Sequence, residues 1–131
     1  MSYKVDSATR DEIIALTVEH AYRLDHGMAD MLHELYTHDG ELLGLPPKDL
    51  VGREAIQAWG AARVTLARTS RHVETNHRVV WNGGALTGTL LATVYRSDTD
   101  DVTNTKPFII GDYEDIYERE EGQWKIRQRI I

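Results

Sequence analysis

The chain has 131 residues, the size of one ordinary domain, so a binding or active site must lie within one core or between identical copies. Its 15 basic and 21 acidic residues give a net charge of −6, which argues against nucleic acid or an anionic membrane surface as a partner. Because there is no cysteine, disulfides, thiolate catalysis and cysteine-ligated metal sites are excluded. The chain has no apolar run of signal-peptide or membrane-spanning length, and we expect a cytoplasmic protein.

The first half of the chain has the apolar period of helices. The predicted helices, with a short strand at residues 41–45 before the last of them, are residues 7 or 9 to 27, 28–36 and 52–62. We expect Thr9 and Glu12 to form a capping box at the start of the first helix. The third helix should bury Ala55, Ile56 and Trp59.

From residue 71 onward, β-branched and aromatic residues with turn signals between them predict strands. The predicted strands are residues 71–81, 85–96, 107–120 and 123–131, with a polar loop at 97–106. Helices first and antiparallel strands last indicate an α+β fold, and not a βαβ dinucleotide fold. We expect residues 1–131 to form a single domain.

Six histidines raise the question of a metal site. His33 and His38 are five residues apart, which places them roughly 140° apart around a helix. His72 and His77 have the same separation and would point to opposite faces of a regular strand. We therefore expect no metal site, and the simplest interpretation of the remaining helical histidines is that they are solvated or half-buried, as are His33 and His38; these are His20 and His26.

Asp25 lies in the last turn of the first predicted helix, where the helix dipole penalises a carboxylate. It follows Tyr22 by three residues, so it lies on or beside the face that packs on the sheet. If it is buried, its pKa should rise, which suits a general base or a shared proton. The alternative is a surface aspartate beside His26 at a frayed helix end, and the pattern does not choose between the two.

The strand at residues 71–81 has two distinct faces. Regular alternation places Val73, Thr75, His77, Val79 and Trp81 on one face and His72, Glu74, Asn76 and Arg78 on the other. In the direct interpretation the apolar set is buried and the polar set faces water. The alternatives are that the polar face lines a cavity, that a bulge changes the register, or that the apolar face forms a subunit interface.

The strand at residues 107–120 contains an acidic run that ends in Glu120 and Glu121. Alternation places Tyr113 and Asp115 on one face, from which they could hydrogen-bond a polar group of a ligand. The alternative is an acidic strand paired across the hairpin by ion pairs with Lys125, Arg127 and Arg129.

Four strings of the sequence are similar to those of a known family. They are Tyr22-Arg-Leu-Asp25, Leu50-Val-Gly-Arg-Glu-Ala-Ile56, Ser70-Arg-His-Val-Glu-Thr-Asn76, and Gly111-Asp-Tyr-Glu-Asp115 leading to Gly122-Gln-Trp-Lys-Ile126. In this order the whole chain resembles the SnoaL-like branch of the nuclear-transport-factor-2-like superfamily. That superfamily includes polyketide cyclases, ketosteroid isomerases, scytalone dehydratase and bile-acid dehydratase.

The resemblance implies a cone-like, cystatin-like α+β fold in which helices and an antiparallel-dominated sheet enclose an apolar pocket, usually in a homodimer. The dehydratases of this group pair an aspartate near the end of the first helix with a histidine early in the first long strand, and Asp25 and His72 stand at those positions. The isomerases place a proton-donating aspartate where this chain has Asp115.

Two classes of function follow. The first is a dehydratase or isomerase that moves a proton on a small hydrophobic cyclic carbonyl compound, needs no cofactor, and acts as a homodimer or higher homo-oligomer. Asp25 and His72 would be its catalytic pair, and the candidate substrate contacts are Tyr22, Trp59, Tyr113 and Asp115. The alternative is a non-catalytic small-molecule-binding or dimerisation module of the same fold, which a purely apolar pocket would favour.

Overall fold

Helices precede most of the strands along the chain, as predicted, in a computed structural model that describes residues 4–45, 47–99, 102–103 and 106–131. No helix in these ranges is long and apolar enough to cross a membrane. The elements are helix α1 (Ser7–Asp25), a 3₁₀ helix (Ala29–Leu35), strands β1 (Tyr36–Leu43) and β2 (Leu50–Val51), helix α2 (Arg53–Arg63), and strands β3 (Thr69–Asn82), β4 (Ala85–Ser97), β5 (Pro107–Glu120) and β6 (Gln123–Ile130).

The strands form one six-stranded sheet in the order β2-β1-β6-β5-β4-β3. Only the β1–β6 pair is parallel, and the four other pairs in this described sheet are antiparallel. Helices α1 and α2 and the 3₁₀ helix pack on one face, which we call the inner face. The predicted α+β fold with an antiparallel-dominated sheet is confirmed.

The start of α1 and the start of β1 differ from prediction. The cap of α1 is Asp6, whose carboxylate accepts a hydrogen bond of 2.7 Å from the Thr9 backbone amide, so the predicted capping box at Thr9 is wrong. Strand β1 begins at Tyr36 and not at Glu41, because the segment expected to break the chain is an irregular part of the strand whose register against β6 shifts there.

The core lies between the helices and the inner face of the sheet. Its fully buried side chains come from α1, the 3₁₀ helix, α2 and the strands, and they include Ile13, Leu32, Ile56, Leu86 and Ile126. Burying each such side chain contributes about 1.5–3 kcal/mol to folding. Trp59 of α2 packs against this cluster and is partly buried, as predicted for that helix.

A bulge in β3 divides the strand into two parts that face the core with different residues. The pairing with β4 moves from Thr75 opposite Leu91 to Arg78 opposite Thr89, so β3 contains one extra residue. The bulge includes Asn76, whose φ of 57° lies in the left-handed region that asparagine tolerates better than most residues. The single apolar face predicted for this strand is therefore wrong.

Ahead of the bulge the inner face carries Ser70, His72 and Glu74, and after it Val79. Val73, on the other face, is 50% exposed, whereas Val79 is buried. The face change thus removes Val73 from the apolar set that regular alternation predicts. It turns the polar residues of the first part toward the helices, which was one of the alternatives left open by the sequence.

An ion pair is buried in the sheet interior between β5 and β6. The Arg129 guanidinium donates two hydrogen bonds to Asp115, from Nε at 2.8 Å and from Nη2 at 2.7 Å, and the side chains are 0% and 1% exposed. The Tyr117 hydroxyl donates a third, at 2.7 Å. With these donors both carboxylate oxygens are occupied, so the pair holds β5 and β6 in register.

We expect Asn76→Val to destabilise the protein by about 1–2 kcal/mol, because a β-branched residue is strained at positive φ. Asn76→Gly, which has no such strain, should change the free energy of unfolding by much less. Urea denaturation of the two variants measures the difference. Equal stability of the two variants would contradict the assigned backbone conformation.

Asp115→Asn should lower the free energy of unfolding by about 3–5 kcal/mol, because it leaves the Arg129 charge buried without a counter-ion. Asp112→Asn changes an exposed carboxylate on the same strand and serves as the control, with an expected change of less than about 0.5 kcal/mol. Both are measured by urea denaturation. Similar losses in the two variants would mean that the pair does not carry this role.

Candidate active site

Asp25 and His72 meet at the junction of α1 and β3. The His72 ring donates from Nδ1 to Asp25 Oδ1 at 2.7 Å, and the His72 backbone amide donates to Oδ2 at 2.7 Å. The Ser70 hydroxyl donates to Oδ1 at 2.8 Å. The side chains of Asp25 and His72 are only 6% and 10% exposed. The surface aspartate that the sequence left as an alternative is therefore excluded for Asp25.

The hydrogen bonds at Asp25 decide its charge. Burial pushes its pKa upward, but the donors from His72 and Ser70 outweigh burial and hold the pKa below its ordinary value. The rise expected on burial is therefore wrong, and Asp25 is an anion at neutral pH. Because a carboxylate only accepts hydrogen bonds, Nδ1 of His72 must carry the proton. In the neutral ring, Nε2 is then the basic nitrogen.

The His72 side chain lines a cleft between the helices and the inner face of the sheet. The cleft encloses about 600 Å³, including the space at its open mouth. Most of its wall is apolar, with contributions from Leu24, Leu42, Leu45, Trp59, Val94 and Ile109. An apolar wall with few polar groups is typical of sites for hydrophobic small molecules.

Tyr113 of β5 is a second polar group of the cleft wall. Its side chain is almost fully buried, and its hydroxyl makes no hydrogen bond with the residues that the structure describes. Burial raises the pKa of Tyr113 to about 12, so the hydroxyl keeps its proton at neutral pH. It is therefore a hydrogen-bond donor available to a ligand.

His20 of α1 is also on the cleft wall and is 2% exposed, so the prediction that it is solvated or half-buried is wrong. Its Nε2 shares a hydrogen bond of 2.8 Å with the hydroxyl of Tyr36. Burial holds the pKa of His20 well below its ordinary value, with the Arg129 charge as a smaller cause. The ring is thus neutral and helps to shape the floor of the cleft.

Of the four predicted substrate contacts, the structure places Trp59 and Tyr113 at the cleft and the other two elsewhere. Tyr22 is 50% exposed and stacks on His26, with the ring centroids 4.1 Å apart. Asp115 is engaged by Arg129 and Tyr117, so it has no oxygen left for a ligand. The expectations of a ligand role for Tyr22 and Asp115 are corrected accordingly.

Two polar residues of the site lie in or beside strings singled out in the sequence but were given no role there. Ser70 opens the string that contains His72, and its hydroxyl bridges Asp25 and Arg63. Arg63, at the end of α2, donates to Ser70 Oγ at 3.1 Å and lines the cleft. Only the packing of α2 against the end of β3 brings Arg63 there, and no local spacing signals it.

Glu74 follows His72 by two residues on the inner face of β3. Both of its carboxylate oxygens are buried, and neither has a hydrogen-bond partner among the described residues. Burial therefore raises the pKa of Glu74, although the Arg129 charge opposes the rise. In the described part of the chain, no three His, Asp or Glu side chains lie close enough to hold a metal ion.

Solved structures with this fold place the protein among nuclear-transport-factor-2-like proteins. A protein of that class with a cystatin-like fold, from Novosphingobium aromaticivorans, is 25% identical, has a TM-score of 0.76, and aligns over 92% of this chain and 79% of its own. A candidate scytalone dehydratase from the same organism is 20% identical, with a TM-score of 0.76 and coverage of 94% and 82%. A candidate aromatic ring hydroxylase, also from that organism, is 18% identical, with a TM-score of 0.80 and coverage of 97% and 90%.

The family model of the SnoaL-like domain matches residues 5–130, which is nearly the whole chain. The protein therefore belongs to the SnoaL-like family, and the resemblance inferred from its sequence is confirmed. No curated protein matches the chain significantly. At the identities of the second and third structures above, the likeness concerns the fold.

The orphaned carboxylate of Glu74 should make stability depend on pH. Its folded pKa is raised, so the folded state binds the proton more tightly, and stability is lost as the pH rises through that value. We expect Glu74→Gln to gain stability relative to the parent protein between about pH 5 and about pH 8, measured as urea midpoints. The control is Glu114→Gln, an exposed carboxylate on β5. Parallel pH curves for the parent and Glu74→Gln would contradict the assignment.

Proposed function

We propose that this protein is a cofactor-independent dehydratase or isomerase that moves a proton on a small hydrophobic cyclic carbonyl compound. The observation that carries the proposal is a buried, ionised Asp25 that donors hold against the His72 ring on the wall of an apolar cleft. An ionised carboxylate behind an imidazole favours acid–base chemistry over passive binding, because it fixes the tautomer and stabilises the imidazolium that forms.

His72 is the proposed general base. Asp25 accepts the Nδ1 proton, so the Nε2 lone pair is available to take a proton from the carbon beside the substrate carbonyl. The Asp25 anion stabilises the positive charge that the ring then acquires. Asp25 itself lies behind His72 and acts as a positioning residue.

Tyr113 is the proposed donor to the substrate carbonyl. When the α-proton leaves, negative charge develops on the carbonyl oxygen, and a preorganised hydroxyl in a low-dielectric cleft stabilises it. Trp59 and the apolar side chains of the wall would hold the ring system of the substrate.

In a dehydration, Nε2 takes the α-proton and the electron pair forms the enolate, stabilised by Tyr113. The enolate then expels the β-hydroxyl, which receives the same proton from the imidazolium and leaves as water. The products are the unsaturated carbonyl compound and water, and His72 returns to its neutral form. In an isomerisation, the imidazolium returns the proton to a different carbon.

The experiment is exchange of the α-protons of β-tetralone in deuterium oxide, followed by NMR, which needs no knowledge of the natural substrate. We expect the protein to accelerate exchange above the buffer rate, and Asp25→Asn and His72→Gln each to reduce the acceleration by about 100-fold or more. His38→Gln changes an exposed histidine on β1 and should leave the rate unchanged.

Circular dichroism and urea midpoints establish that the variants remain folded. Exchange at the buffer rate, while β-tetralone quenches the fluorescence of Trp59 in the cleft, would instead favour the non-catalytic binding module. Retention of the acceleration in His72→Gln would remove the proposed base.

A further inference from the structure

Three arginine side chains line the open end of the cleft. They are Arg63 at the end of α2, Arg68 before β3, and Arg96 near the end of β4. Arg68 and Arg96 share Asp98, since Nε of each lies 3.1 Å and 2.9 Å from the same oxygen, Oδ1. The Asp98 side chain is 67% exposed, so this carboxylate stands at the outer edge of the group.

Arg63 differs from the other two because the described residues offer it no carboxylate at ion-pair distance. Its printed partners are neutral: Ser70 Oγ at 3.1 Å and the backbone oxygen of Leu24 at 3.5 Å. The side chain is half-buried, and burial, followed by the charges of Arg68 and Arg96, lowers its pKa. A half-buried guanidinium without a counter-ion is unfavourable unless a ligand supplies one.

We propose that the ligand of this cleft is an apolar ring system that carries an anionic oxygen group, a carboxylate or a phosphate monoester, and that Arg63 binds this group with support from Arg68. The inference rests on the proposed function only in placing the ligand in the same cleft. A guanidinium presents a planar pair of N–H donors, which matches the two oxygens of a carboxylate or phosphate.

The position of Arg63 also orients the ligand relative to His72. Its guanidinium binds Ser70 Oγ, and that hydroxyl binds Asp25, so one hydroxyl group separates the anion-binding residue from the catalytic pair. An anionic group on Arg63 would thus lie at the mouth, with the ring extending between Trp59 and Tyr113 toward the interior. The net charge of −6 makes this local group of cations an exception on the protein.

The experiment compares three probes with the same ring: naphthoate, naphthamide and naphthyl phosphate. Titration calorimetry on the parent protein should give a Kd for naphthoate or for naphthyl phosphate about tenfold lower than for naphthamide. Added salt should weaken binding of the anions and leave the amide unchanged. The ratio between naphthoate and naphthyl phosphate shows which of the two anionic groups the site prefers.

Arg63→Gln should bring the Kd values of the acid and the amide to within about twofold, whereas the control Arg10→Gln, an exposed arginine on α1, should keep the difference. Arg68→Gln, which does not remove the hydrogen bond to Ser70, provides the test if Arg63→Gln fails to fold, and should halve the difference or more. Equal affinity of the parent for the acid and the amide, binding of none of the probes, or an undiminished difference in the arginine variants would overturn the proposal.

Failure here is distinguishable from failure of the proposed function. Asp25→Asn should lose exchange of β-tetralone but keep the preference for naphthoate, because Arg63 retains its place on the cleft wall. A protein that prefers naphthoate without catalysing exchange would be a binding module for acidic aromatic compounds. A protein that catalyses exchange without preferring the acid would be an enzyme for neutral substrates.

Discussion

The extra residue in β3 is the constraint on which the site depends. Strand side chains alternate between faces, so one inserted residue exchanges the faces beyond it. Before the bulge, Ser70 and His72 face the helices; after it, Val79 still reaches the core. A regular strand could bury either the polar pair or the apolar residue, but not both. The left-handed conformation of Asn76 thus lets one strand supply both a site and part of the core.

The interior of the protein holds its titratable groups in pairs of different character. Asp25 receives donors from the first part of β3 and stays ionised, and Asp115 receives Arg129 and the Tyr117 hydroxyl. Both carboxylates are anions, yet only Asp25 stands behind a group that reaches the cleft. Glu74 has no partner, and for that reason its pKa rises while that of Asp25 falls. Donor supply, and not burial alone, sets the charge of each carboxyl group.

Much of the fold was predictable because its signals are local. Turn residues after residues 81 and 120 and the alternation between them predicted the hairpins within a residue or two of the observed strands, and helical spacing did the same for α1 and α2. The start of β1 was missed because a His-Asp-Gly segment that usually ends an element is held within the strand by pairing with β6. For the site, residue patterns left Asp25 and the face of His72 undecided, and the resemblance to a family singled out the two positions.

By itself, then, the sequence determined the order of the elements, the α+β class and the family, since these depend on periodicity, turn chemistry and strings of neighbouring residues. Only the tertiary structure decided which polar groups meet. Asp115 shares a strand face with Tyr113, but its charge is taken up by Arg129 from the next strand, and Arg63 reaches Ser70 only because α2 ends beside β3. Hydrogen bonds between residues distant in the chain depend on how elements pack, and no spacing along one element encodes that packing.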